Sequence, residues 1–117
     1  MGSVTAAPDT PSRQVRTLSR SALVVRLVAK SGKEEEVSKF LAGAQPLAQG
    51  ETFTPVWFAL RTEPNVFYIV DAFASDEDRG KHLTGEIAKA LMAKAGDLFS
   101  EPPKIEKADV LASKVTT

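Results

Sequence analysis

The sequence contains no cysteine, a single histidine and no excess of either charge, with 15 Lys and Arg against 15 Asp and Glu. Each shortage removes a chemistry. Without a thiolate there is no cysteine nucleophile, disulfide, Cys-ligated zinc or cysteine-held iron–sulfur cluster, and one imidazole cannot build a multi-His metal site within one chain. Carboxylates and backbone carbonyls remain, which suit only a hard cation. Nucleic-acid binders cluster Lys and Arg to neutralise phosphates; here the basic residues are scattered among acids, so no nucleic-acid partner is expected. No apolar run approaches the roughly 20 residues of a membrane helix, and residues 1–20 lack the apolar centre of a secretory signal. The expectation is a cytoplasmic protein with no membrane partner.

What is present suits one domain. A chain of 117 residues that is 43% hydrophobic and 26% charged has the composition of a globular protein with a single core. Residues 1–21 hold only Val4, Val15 and Leu18 as larger aliphatics, too few to offset the entropy of ordering, and read as a flexible tail. The domain is expected over residues 22–112, with a polar tail at 113–117.

Residues 22–30 are rich in β-branched side chains and short, which predicts a strand. Ser31-Gly32 makes a turn, and Glu34, Glu35 and Glu36 then favour the positive end of a helix dipole. Val37, Phe40, Leu41, Ala44 and Ala48 form one helical stripe, with Pro46 expected to kink or end it. Residues 54–62 and 66–74 are strand-like runs joined by Glu63-Pro64-Asn65, a hairpin signal. Ser75 and Asp78 form a capping-box-like start to a second helical region, with Thr84 a candidate fresh cap and a break near Gly85. Ile87, Leu91 and Leu98 continue it until Pro102-Pro103. Residues 104–112 suit an edge strand. The order is β-α-β-β-α-β, the α+β ferredoxin-like split βαβ.

Period 2 places Phe67, Ile69, Asp71 and Phe73 on one face of the 66–74 strand and Val66, Tyr68, Val70 and Ala72 on the other. Both faces are mostly apolar. Two helical regions cannot cover both sides of the sheet, which predicts a homodimer through the uncovered sheet face.

Two residues stand out chemically. His82 titrates near neutrality and falls where the second helical region breaks; lying off the Leu83/Ile87/Leu91 stripe, it fits a solvent-facing position as well as a pocket. Asp71 shares a strand face with Phe67, Ile69 and Phe73, so it needs a partner or an altered protonation state. It could act as a proton acceptor, pair with Arg26 or Arg61, or be exposed at the strand end. Trp57, Phe67 and Phe73 could hold a flat aromatic ligand or simply fill the core. The nucleophile elbow, the P-loop and the dinucleotide fingerprint do not occur.

The layout over residues 22–112, with Phe67-Tyr68-Ile69-Val70-Asp71-Ala72-Phe73 followed by an acidic helix start and His82-Leu83, resembles the antibiotic biosynthesis monooxygenase family, which includes quinol monooxygenases. The hairpin segment Val56-Trp57-Phe58-Ala59-Leu60-Arg61 resembles one of its subgroups. The resemblance implies a dimeric α/β barrel and oxidation of a small phenolic or quinol-type aromatic substrate by O₂ with no cofactor. It implies catalytic roles for His82 and Asp71, the latter where family members usually carry Glu, and substrate contacts from Trp57, Phe67, Phe73 and Arg61. Phe73 stands where many members have Trp. Haem-degrading relatives place a ligand histidine where this chain has Met92, so the usual haem attachment is missing. The alternative on the same fold is a non-catalytic dimeric binding or scaffold module.

Overall fold

The structure, a computed structural model, describes residues 19–116. Its elements are β1 (Ser21–Val28), α1 (Glu34–Gly43), α2 (Gln45–Gly50), β2 (Val56–Glu63), β3 (Val66–Phe73), α3 (Asp76–Leu83), α4 (Glu86–Leu98) and β4 (Lys104–Asp109). The four strands form one antiparallel sheet in the order β2-β3-β1-β4. This is the expected split βαβ topology, with β4 at one edge and β2 at the other.

Strand β1 alternates strictly between buried and half-buried residues, and β3 shows nearly the same alternation. Register places Leu23 opposite Asp71, Val25 opposite Ile69 and Leu27 opposite Phe67, so these side chains share the face under the helices. They pack with Val37 and Leu41 of α1 and Leu91 and Leu98 of α4 in one core. At about 25 cal/mol per Å² of apolar surface, these aliphatic and aromatic contacts are the main force holding the helices on the sheet.

Pro46 does divide the first helical region. α1 stops at Gly43, and Pro46 sits in the first turn of α2, where its missing N–H leaves no bond unmade. Ser75 caps α3 by accepting from the Asp78 backbone N–H at 3.1 Å. The second helical region breaks at Thr84 and Gly85, but Thr84 is not the new cap. Its hydroxyl donates back to the Gly80 and Lys81 carbonyls and closes α3, while Gly85 opens α4. The hairpin turn is tighter than expected: only Pro64 and Asn65 lie between β2 and β3, with a register shift between Arg61 and Glu63.

The N-terminal expectation changes at one residue. Ser21 is buried and belongs to β1 rather than to a tail, while residues 1–18 lie outside the described residues. β4 ends at Asp109, and residues 110–116 continue without regular structure.

On the face away from the helices, register brings together Phe58, Val70 and Val24, with Leu60 and Tyr68 beside them. Phe58 is 57% and Leu60 45% exposed. Among the described residues, no helix is long and apolar enough to cross a membrane.

Candidate active site

Three elements bring three titratable side chains together. Asp71 comes from the middle of the sheet, on the helix-covered face of β3. His82 comes from the last turn of α3, where the C-terminal carbonyls favour a cation. Glu51 comes from the connection that follows α2. His82 Nδ1 lies 2.7 Å from Glu51 Oε1, and His82 Nε2 lies 2.9 Å from Asp71 Oδ2. The side chains of Asp71, His82 and Glu51 are 0%, 7% and 10% exposed.

The two carboxylates flank the imidazole on opposite nitrogens, so the three groups form a line and do not converge on one point as ligands of a single cation would. The two contacts differ in quality. Glu51 Oε1 also accepts from Thr54 Oγ1 at 2.8 Å, which fixes its direction. On the other side, Nε2 and Oδ2 are at ion-pair distance but out of line for a hydrogen bond, and Asp71 Oδ1 has no donor among the described residues. Burial pushes the Asp71 carboxyl above the ordinary carboxylate value, against the opposing pull of His82. For His82, burial is the largest single influence and acts to lower its pKa. The Asp71 and Glu51 carboxylates on its two sides together outweigh it and hold the imidazole pKa above its ordinary value. Both groups therefore keep their protons to higher pH than the same groups free in water.

The solvent-facing alternative for His82 is overturned: it is the buried residue of α3. The break at Thr84 and Gly85 resets the helical phase, so the stripe of Ile87 and Leu91 does not extend back to exclude His82. The pairing of Asp71 with an arginine is overturned too. Arg26 pairs with Glu101 at 3.1 Å and Arg61 with Glu35 at 3.1 Å.

The aromatic candidates separate into different places. Phe73 is fully buried and packs its ring against His82, with centroids 5.3 Å apart and planes tilted by 42°. It is a wall behind the imidazole, within the core. Trp57 is opposite Asp71 in register and half-buried. Phe67 and Arg61 pair with each other across β2 and β3, four residues along β2 from Trp57, about 13 Å at strand spacing. There the Arg61 guanidinium lies 5.0 Å from the Phe67 ring centroid, donates to the Pro64 carbonyl and borders a small groove with Leu41 and Ala59. The structure therefore groups His82, Asp71, Trp57 and Phe73, and leaves Phe67 and Arg61 apart.

A cavity of about 320 Å³ meets this group from outside, lined by Glu51 and Trp57 with Gln45, Gln49, Thr52 and Thr54 among others; His82 and Asp71 do not line it. Glu51 is the functional side chain that reasoning from sequence missed. One signal was available: it is the single acid between Glu36 and Glu63. Gly85 lets it reach the histidine, because a Cβ there would sit 3.0 Å from Glu51 Oε2 and 3.3 Å from the Lys81 carbonyl.

No protein-family description and no curated protein matches the chain. Solved structures do. A protein of unknown function from Nitrosomonas europaea, NE2512, is 49% identical over 85% of this chain and 96% of its own, with a TM-score of 0.83. Two candidate antibiotic biosynthesis monooxygenases share the fold at lower identity. The one from Nitrosomonas europaea is 17% identical over 79% of this chain and 90% of its own, with a TM-score of 0.71. The one from Caulobacter crescentus CB15 is 22% identical over 80% and 92%, with a TM-score of 0.70. The chain has the fold of the antibiotic biosynthesis monooxygenases and belongs to one family with the Nitrosomonas europaea protein NE2512.

Proposed function

We propose that this protein is a cofactor-independent monooxygenase that oxidises a small phenolic or quinol-type aromatic substrate with O₂. The observation that carries the proposal is the line of Glu51, His82 and Asp71, which runs from a cavity wall to a fully buried carboxyl. The fold shared with candidate antibiotic biosynthesis monooxygenases supports the reaction class.

Deprotonation is the step these residues serve, because a phenolate gives electrons to O₂ far more readily than a phenol. A phenol with a free para C–H that becomes a quinone loses four electrons. One atom of O₂ enters the ring carbonyl and the other leaves as water, so no external reductant is needed. In this scheme Glu51, at the cavity wall, takes the phenolic proton. His82 carries the charge behind it, and the Asp71 carboxylate faces that charge from the buried side, 2.9 Å from Nε2. Glu51 is then the group in contact with substrate, and His82 and Asp71 act through it. A correctly placed base contributes about 10²–10⁴-fold.

Oxygen uptake with a panel of dihydroxyaromatics tests the proposal. Wild type should consume O₂ in step with product, and Glu51→Gln should slow it by about 10²-fold or more. An inert wild type, or an undiminished Glu51→Gln, refutes it.

The same proposal includes a homodimer through the open sheet face. Exposed Phe58 and Leu60 beside Tyr68 and Val70 are an apolar surface that a second copy would cover. Light scattering that returns a monodisperse monomer near 12.6 kDa refutes this part.

A further inference from the structure

Thr54 follows Glu51 by three residues and meets it twice. Its backbone N–H donates to the Glu51 carbonyl at 3.1 Å and closes a turn, and its hydroxyl donates to Glu51 Oε1 at 2.8 Å. The turn does not need the second bond. The main-chain bond, together with the Glu51 N–H donating to the Ala48 carbonyl at 3.0 Å, already sets the path of the connection after α2. Yet the hydroxyl belongs to a side chain only 7% exposed, where valine would fill the same space without burying a polar group.

What the hydroxyl adds is control of the carboxylate. Oε1 accepts from Thr54 and stands 2.7 Å from His82 Nδ1, which must be the donor because an ionised carboxylate only accepts. Two donors on separate elements fix the carboxylate plane, whereas one alone would leave it free to turn about a soft terminal torsion. Oε2 has no donor among the described residues, so the group is oriented and still keeps one oxygen uncommitted. Donors to the ionised form also favour that form, the one a base needs.

We infer that Thr54 is a positioning residue, whose hydroxyl orients the Glu51 carboxylate for proton transfer. This rests on the reading of Glu51 as the base of a phenol oxidation and adds a residue that acts only through it. Thr54 lines the same cavity, so the variant that separates orientation from shape is Thr54→Val, which keeps the outline of the wall.

The test compares wild type with Thr54→Val and Thr54→Ser, and Thr54→Ala is a second hydroxyl-free variant should valine fold poorly. The first readout is the NMR titration of His82, the single histidine, whose ring is faced by the acids Glu51 and Asp71. Its pKa should fall toward the ordinary value in Thr54→Val, because the loosened carboxylate no longer stays on Nδ1, and should keep its wild-type value in Thr54→Ser. The second readout is oxygen uptake with the dihydroxyaromatics. In Thr54→Val kcat should drop about tenfold, the worth of one hydrogen bond to a charged group, with KM within about twofold, and Thr54→Ser should recover most of the loss. A His82 pKa unmoved in the hydroxyl-free variants, or shifted as far by Thr54→Ser as by Thr54→Val, overturns the inference, as does a rise in KM with kcat unchanged. A wild type that consumes no oxygen refutes the monooxygenase alone; the His82 titration then decides whether Thr54 orients Glu51.

Discussion

His82 sits between two acids, and removing it exposes what that arrangement is worth. His82→Gln keeps a polar side chain but takes away the cation beside Asp71, which is 0% exposed. Breaking a buried ion pair from one side costs about 3–5 kcal/mol, a large part of the roughly 5–15 kcal/mol that holds a small domain together. The melting temperature should fall by about 12–20 °C. Asp71→Asn should cost less, about 1–2 kcal/mol, because it removes the charge that burial penalises and leaves His82 bonded to Glu51. The double variant pairs two neutral amides, so its loss should be smaller than the sum of the single losses by about 1–3 kcal/mol. Denaturant unfolding of the four proteins measures this cycle. The same proteins give a pH test. Both groups have folded pKa values raised above their unfolded ones, so the native state holds more protons. His82 therefore contributes stability that is complete below an unfolded value of about 6.5 and is lost as pH rises through its folded value. Asp71 acts with the same sign in a lower window that begins near about 3.8. Wild type should lose stability relative to His82→Gln above about pH 6.5, at most about 1.4 kcal/mol per pH unit for one proton. A His82→Gln variant within about 0.5 kcal/mol of wild type, strictly additive single losses, or a wild-type advantage that grows with pH would refute the reasoning.

Gly85→Ala should crowd Glu51 Oε2 and the Lys81 carbonyl, push the carboxylate away from His82 and lower the His82 pKa toward its ordinary value; the single histidine makes an NMR titration unambiguous. Ser75→Ala removes the α3 cap bond and should cost about 1 kcal/mol in denaturant unfolding. Arg79 donates to the Ala22 and Ala108 carbonyls, on the adjacent strands β1 and β4, so Arg79→Met should cost about 1–3 kcal/mol and speed hydrogen exchange over residues 104–109. Phe58→Glu with Leu60→Glu should turn the proposed dimer into a folded monomer by light scattering, with unchanged helical circular dichroism.

Local chemistry made the fold legible. The β-branched run of residues 22–30, the strand-like run of 66–74, the Ser75 cap and the Glu63-Pro64-Asn65 turn signal each act over a few residues, and the structure places the elements within a residue or two of them. Asp71 was legible for the same reason, as an acid within an apolar strand face. What it pairs with was not. Arg26 and Arg61 looked available because they lie on strands, but Arg26 points to the face away from the helices and Arg61 lies at the far end of β2 from Trp57. His82 was hidden because the Leu83, Ile87 and Leu91 stripe was carried across the break expected near Gly85, and the interruption at Thr84 and Gly85 leaves His82 free of that phase and buried.

Glu51 marks the limit of pattern reading, and it alters how the chemistry must be tested. It lies outside every helix and strand, so no period applies to it, and its contacts are with Thr54 three residues away and His82 thirty-one residues away. Only the packing of α2 and α4 through Ala44, Ala48 and Ile87 brings its connection beside the end of α3. Yet of the three linked groups it is the one on the cavity wall. A loss of activity in His82→Ala would therefore be ambiguous, since that change leaves two buried carboxylates without a cation and disturbs the position of Glu51. Glu51→Gln is the cleaner probe: it keeps the shape and the acceptor oxygen for Nδ1, leaves the His82 cation beside Asp71, and removes the basicity that a phenolic proton requires.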